Sequence, residues 1–297
     1  MKFLVKVDLN FKLFKILKII LSYINNKIAR KNIKDFPQLA IFSFDDIGLI
    51  INLEGRYENE ILLLIEKLIK ETFSDSKFKT ALDIGANIGN HSLFFSQYFS
   101  TVYAFEPNPA TYELLKINST YVSKIKNIIP YCYGLSDKTK NVTLKVNPNN
   151  IGNSKIVFED NLRVNYSNQI TIKVEKADNL SFLKDSNIGL IKIDVEGHEI
   201  FVLKGAEEII RINKPIIIFE QEAEEILNGT SKSISFLSRI EYEFYTLKKR
   251  FDFGQGKVSK FLSLIFGLFF GQQLSLVSTE NFKKKYYSTI VAIPKST

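Results

Sequence analysis

Apolar residues along the chain keep two different spacings, and the change from one to the other marks its elements. Ile61, Leu62, Ile65, Leu68 and Ile69 recur as one face of a helix. Short apolar runs follow at 81–84 and 101–105, and Leu93, Phe94 and Tyr98 between them again lie at helical spacing. Further runs stand at 128–132, 190–194, 215–220, 242–247 and 288–293, with a helical pattern through Val202, Leu203, Ala206, Ile209 and Ile210. Near-continuous apolar strands alternating with helices predict right-handed crossovers and a parallel sheet covered on both faces. The expected fold is therefore α/β, a mostly parallel sheet of seven strands. A direct return from the sixth to the seventh strand would leave the seventh antiparallel.

Four stretches depart from this rhythm. Val142, Leu144 and Val146, then Ile170, Ile172 and Val174, keep a period of two around a loop at Pro148, which predicts a β insertion over 141–176, before the fourth strand. Residues 36–56 hold short apolar runs with turn residues Asp45, Asp46 and Gly48, read as a small strand pair. The run at 258–271 is too short to cross a bilayer and reads as a core or lid helix, with a membrane-dipping or lipid-binding face as the alternative. At the N-terminus, Phe14, Leu17, Leu21 and Ile24, with Leu13 and Ile20 beside them, predict an amphipathic helix opposed by lysines. The expected organisation is a basic N-terminal segment with the strand pair over 1–52, then one domain over 53–297 carrying insertions at 141–176 and 250–286.

Charge refines this picture because it is unevenly placed. Residues 1–34 carry nine basic side chains against Asp8 alone, which equals the whole net charge of +8 and leaves the remaining chain balanced. A body without basic excess argues against a nucleic-acid partner. The N-terminal helix is expected either to dock on its own domain or to touch anionic lipid peripherally, since lysines interrupt every apolar run. A single cysteine, Cys132 between Tyr131 and Tyr133, forms no internal disulfide and reads as a small buried hydrophobe. With no signal-peptide pattern visible, the expected location is the cytoplasm or the inner face of its membrane.

The candidate chemistry begins where the first strand turns. Asp83-Ile-Gly85-Ala-Asn87-Ile-Gly89-Asn90 joins a strand to a helix, and its glycines permit backbone angles and a ligand approach that a Cβ would prevent. Glu106 ends the second strand, 21 residues after Gly85, near the spacing at which an acidic side chain receives ribose hydroxyls. These features predict a nucleoside site. A dinucleotide fingerprint needs a middle glycine where Asn87 stands, so NAD is the weaker ligand. The loop resembles the first motif of class I methyltransferases dependent on S-adenosylmethionine (SAM), whose cationic amino-acid part would meet Asp83.

The resemblance extends along the chain. Phe105-Glu-Pro-Asn-Pro109, Leu135-Ser-Asp137, Ala177-Asp-Asn-Leu180 and Ile191-Lys-Ile-Asp-Val-Glu-Gly-His-Glu199, in that order after the glycine turn, are similar to the FkbM family of SAM-dependent methyltransferases. The similarity runs from about residue 53 to residue 294. It implies a Rossmann-like class I fold with an antiparallel seventh strand, and O-methylation of a natural-product scaffold or a sugar hydroxyl. The expected cofactor is SAM, held by Asp83, Gly85, Asn87, Gly89, Asn90, Glu106, Asp137 and Asp194, with Asp137 by the adenine. The expected acceptor is a small molecule or glycan. A catalytically silent SAM-fold binding protein at the membrane surface, a methyltransferase of a natural product or lipid, and a nucleotide-linked dehydrogenase are the competing readings.

Asp194 falls at the carboxyl end of a strand, where open α/β sheets place ligands, and Glu196, His198 and Glu199 follow within a turn. Methyl transfer to a hydroxyl needs in-line positioning and a base for the proton. His198 has the ordinary pKa for that role, and Asp194 or Glu196 could orient it or the acceptor. Capping of the following helix is the structural alternative for Glu196 and His198. His91, beside the glycine loop, is expected to pack or cap. No metal is expected, because the carboxylates crowd into one turn and only Glu220 and Glu222 stand elsewhere to complete an oxygen shell.

Overall fold

A computed structural model describes residues 13–73, 80–147, 154–157, 169–254 and 256–295. The loop around Pro148 and the first twelve residues fall outside the described residues. Three helices come first: α1 (Leu13–Asp35), α2 (Asp46–Glu54) and α3 (Asn59–Thr72). The core then alternates β1 (Thr80–Ile84), α4 (Asn90–Phe95), β2 (Thr101–Phe105), α5 (Pro109–Ile117) and β3 (Ile128–Tyr131). The insertion comprises β4 (Gly134–Ser136), β5 (Lys140–Lys145), β6 (Lys155–Val157) and β7 (Gln169–Lys176). After α6 (Ser181–Lys184) come β8 (Ile188–Ile193), α7 (Glu199–Gly205), α8 (Glu207–Asn213), β9 (Ile216–Gln221), α9 (Lys232–Arg239) and β10 (Tyr242–Lys249). The chain closes with α10 (Lys257–Phe270), β11 (Leu274–Ser278) and β12 (Tyr287–Pro294).

The main sheet has the order β11-β10-β12-β9-β8-β1-β2-β3, with β3, β2, β1, β8 and β9 parallel and β12, β10 and β11 antiparallel. It contains the seven expected strands plus an eighth, β11, which the return through α10 adds at the β10 edge. Alternate residues of each strand serve opposite faces. Leu82, Ile84, Ile191, Ile193, Ile217 and Phe219 pack with α7, α8 and α9, whereas Ala81, Leu190, Ile216 and Ile218 pack with α3 and α4. The insertion forms a separate sheet of order β4-β7-β5-β6 beside the carboxyl ends of the core strands.

Three expectations need correction. The strand pair at 36–56 is α2. Asp45, read as a turn residue, is its N-cap, accepting from the Gly48 amide at 2.7 Å, and Gly55 ends it in a left-handed conformation. The run at 258–271 is a helix, but α10 stands outside the core with Phe261, Leu264, Leu268 and Phe269 exposed. Cys132 is exposed rather than buried, because it lies just past the end of β3. The N-terminal helix, in turn, docks by one end only: Asn32 donates to the carbonyls of Asn52 and Leu53 at the end of α2, while Phe14, Leu17, Ile20, Leu21 and Ile24 stay exposed. No helix among the described residues is long and apolar enough to cross a membrane.

Candidate active site

The carboxyl ends of β1, β2, β8 and β9 bring Gly85, Glu106, Asp194 and Glu220 to one edge of the sheet. Gly85 (φ +77°) crosses the end of β8 so closely that a Cβ there would come within 1.8 Å of the Asp194 carbonyl oxygen. Asn87, at the position of the missing middle glycine, takes φ +51°, a left-handed conformation that asparagine tolerates. Two cavities open at this edge and share Asn87, Asp194 and Glu196 in their walls.

The first cavity is a narrow cleft of about 70 Å³ between the glycine turn and β4, lined by Gly85, Glu106, Thr111, Leu135 and His198, with Ser154 and Ile156 lying across it. Glu106 is buried and accepts from the Asn87 amide at 3.0 Å and the Asn108 amide at 2.8 Å. Burial nevertheless pushes its carboxyl up to about 7. The Thr111 hydroxyl is buried in this wall with no hydrogen-bond partner among the described residues. An orphaned hydroxyl, a buried acid at the end of the second strand and a glycine cradle fit a nucleoside with free ribose hydroxyls.

The second cavity, of about 370 Å³, lies between β8, β9, the start of α3 and Tyr286. Its wall carries Asp46, Glu58, Asp194, Glu196, Glu220 and Glu222 against Lys155 and Lys192. Lys192 organises one side. Cross-strand pairing sets it opposite Asp83, and its ammonium lies 3.0 Å from Asp194, 3.6 Å from Asp83 and 3.3 Å from the Gly85 carbonyl oxygen. A lysine inside the apolar run Leu190 to Ile193 was a signal that sequence reading passed over, since such residues are rarely buried unless paired.

Oxygens of Asp194, Glu196 and Glu220 lie within 4.8 Å of one another. Register between neighbouring strands makes this group, so the 26 residues separating Asp194 from Glu220 conceal it. Tyr286 donates to Glu220 at 2.8 Å, and Lys155 of β6 reaches Glu196 at 3.4 Å and Glu222 at 3.2 Å. Burial, followed by repulsion from Asp194 and Glu196, pushes the Glu220 carboxyl up to about 8; burial raises Glu196 as well. Glu196 takes φ +54° and Gly197 +92°, so the turn after β8 holds a non-glycine residue in a sparsely populated conformation. Glu199 secures that turn by accepting from the Val195 and Gly197 amides.

The other expected residues stand apart from the carboxylate group of Asp194, Glu196 and Glu220. His198 borders the first cavity, 3% exposed, with Nε2 at 2.9 Å from the Ser136 hydroxyl and its ring stacked on Phe201. Burial lowers its pKa to about 4. Asp83 is fully buried and accepts from Ser92 at 2.5 Å, facing Lys192 rather than either cavity. Asn90 holds the Tyr57 backbone, its amide donating to the Tyr57 carbonyl at 3.0 Å. Gly89 caps α4 in a left-handed conformation, and Asp137 accepts from Ser136; neither borders the two cavities. His91 sits 3.2 Å from Glu58 at the wall of the second cavity.

Comparison with known proteins follows the same motifs. The profile of the methyltransferase FkbM domain matches residues 83–244. The chain is 29% identical over 184 residues to the hexuronic acid methyltransferase AglP of Haloferax volcanii, covering 61% of this chain and 69% of that protein. It is 27% identical over 177 residues to the methyltransferase sdnD of Sordaria araneosa, covering 48% and 68%. Among solved structures it is similar to the FkbM methyltransferase from Methylobacillus flagellatus at 17% identity and a TM-score of 0.37, covering 77% of this chain and 56% of that one. A SAM-dependent O-methyltransferase from Thermotoga maritima aligns at 11% identity and a TM-score of 0.41, covering 84% and 71%. With more than half of its length matched by the family profile, the chain belongs to the FkbM methyltransferase family.

Proposed function

We propose that the protein is a SAM-dependent O-methyltransferase whose acceptor is a sugar hydroxyl of a glycan or glycan precursor. The observation that carries this reading is the shared wall of Asn87, Asp194 and Glu196, through which a donor in the cleft would meet an acceptor in the larger cavity. Bound SAM supplies an electrophilic methyl group on its sulfonium. Gly85, Asn87, Glu106 and Thr111 would hold its nucleoside part. The remaining work belongs to the carboxylates on the acceptor side, because the nucleophile is a neutral hydroxyl that must lose a proton. Glu220 serves as the base, with Asp194 and Glu196 orienting the acceptor and Lys192 fixing Asp194. His198, bonded to Ser136 on the donor side, positions the turn after β8. A polar cavity of about 370 Å³ suits one or two sugar units, and the sugar acid in the name of the Haloferax relative supports a carbohydrate acceptor.

The exposed apolar residues of α1, together with Lys15, Lys18, Lys27 and Arg30, suit peripheral contact with an anionic membrane. The test of function is transfer of labelled methyl from SAM to a panel of glycans and sugar nucleotides, with SAM binding measured by calorimetry. Glu106→Ala should weaken SAM binding at least about tenfold, the loss of one or two hydrogen bonds to a buried acid. Wild-type affinity in that variant would remove Glu106 from the site, and binding without transfer to any acceptor would overturn the enzymatic reading.

A further inference from the structure

The hairpin between β10 and β11 carries a feature that methyl transfer does not use. α10 packs back on the hairpin through Phe266, whose ring lies 5.7 Å from Phe251 and 5.3 Å from Phe253, and through Phe270, 6.1 Å from Phe251. Much of its remaining surface is apolar and open to solvent: Phe261, Leu264, Leu268 and Phe269 are 61%, 59%, 72% and 79% exposed, with Leu264 and Leu268 bordering the groove toward Lys249 and Glu60. A contiguous apolar face of this kind marks an interaction surface.

Charge selects the occupant. From Tyr242 to Ser278 the hairpin has Lys248, Lys249, Arg250, Lys257 and Lys260 against Glu243 and Asp252. Lys248, Lys249 and Arg250 are exposed at the base of the hairpin. Pairing two copies through this face would bring like charges together, whereas an anionic lipid surface offers both an apolar layer and opposite charge. The 14 residues of α10 extend about 21 Å, well short of the roughly 30 Å hydrocarbon layer, so the helix can lie on a bilayer but not cross it.

We propose that α10 and its hairpin form a membrane-docking element that lies on an anionic bilayer and turns the acceptor cavity toward it. Lys249 reaches Glu60 of α3 at 3.5 Å, and the adjacent Tyr57, Glu58 and Ile61 line that cavity. Docking by α10 therefore sets the cavity beside the lipid headgroups, where a glycan borne on a lipid would be presented. Docking itself is independent of methyl transfer, and its test needs neither SAM nor acceptor.

The chain contains no tryptophan, so a full-length F269W variant reports on this helix alone. With vesicles of two parts phosphatidylcholine to one part phosphatidylglycerol, its emission should shift to shorter wavelength and be quenched by brominated acyl chains. High salt should reverse the shift. Adding Leu264→Glu and Leu268→Glu, both at exposed positions, should lower vesicle partition at least about tenfold without changing the circular dichroism. Leu17→Glu with Ile20→Glu in α1 should leave the indole shift in place. Pelleting of the protein with the F269W indole still in water would overturn the proposal, leaving α1 as the anchor. An equal shift with phosphatidylcholine alone would overturn its charge basis, and a shift without vesicles that grows with protein concentration would assign the face to a second copy.

Discussion

Glu220 and Lys192 face the same cavity with opposite charges to place. Burial and the neighbouring carboxylates push the Glu220 carboxyl up to about 8, so a base at this position would gain its charged form as pH rises through that value and level off above it. Turnover should accordingly climb through pH 8. Glu220→Gln should cut kcat about 10²–10⁴-fold and abolish that rise, as a pH–rate profile would reveal; an unchanged profile would move the base elsewhere. Lys192 compensates Asp83, which has no contact with solvent. Lys192→Met strands that charge and should cost about 3–5 kcal/mol in denaturant unfolding, most of it recovered when Asp83→Asn is added. Much of the site was legible at this scale: Gly85, Asn87, Glu106, Asp194 and Glu196 meet as their motif spacing suggested. The approach of Glu220 to Asp194 and Glu196 was not, because it depends on the register between β8 and β9 rather than on spacing within the motif.

Among the elements, the clearest lesson comes from the crossing of the glycine turn over β8. Gly85 is expected to face a ligand and lines the cleft, and the absence of a Cβ also lets it pass the Asp194 carbonyl oxygen. Gly85→Ala would both force a side chain into the left-handed region and push the ends of β1 and β8 apart. The expected loss is at least about 2 kcal/mol, read as a Tm lower by roughly 5 °C, with SAM binding weakened in parallel. Elements with strong periodicity, such as α3 and the parallel strands, were legible from the chain alone. α2 was not, because Asp45, Asp46 and Gly48 serve a hairpin turn and a helix start equally well, and only the bond from the Gly48 amide to Asp45 distinguishes them. α10 misled for another reason: an apolar run reads as core until its neighbours are known, and a hairpin projecting from a sheet edge supplies few.

For the molecule as a whole, charge is unevenly placed: the sheet edge gathers carboxylates, residues 1–34 carry the whole net charge, and the β10–β11 hairpin is locally basic within an otherwise balanced body. The insertion joins the two cavities in one further respect. Three consecutive residues of its chain border both: Ser154 and Ile156 line the narrow cleft, and Lys155 lines the larger cavity, where it reaches Glu196 and Glu222. One short strand therefore borders both cavities. On the proposed reading, SAM in the cleft and the acceptor in the larger cavity are expected to bind in sequence. Steady-state analysis should give a compulsory order, with the demethylated cofactor product leaving last and competing only with SAM. Lys155→Ala, which unties the strand from Glu196 and Glu222, should relax that order toward random, and product-inhibition patterns distinguish the two regimes.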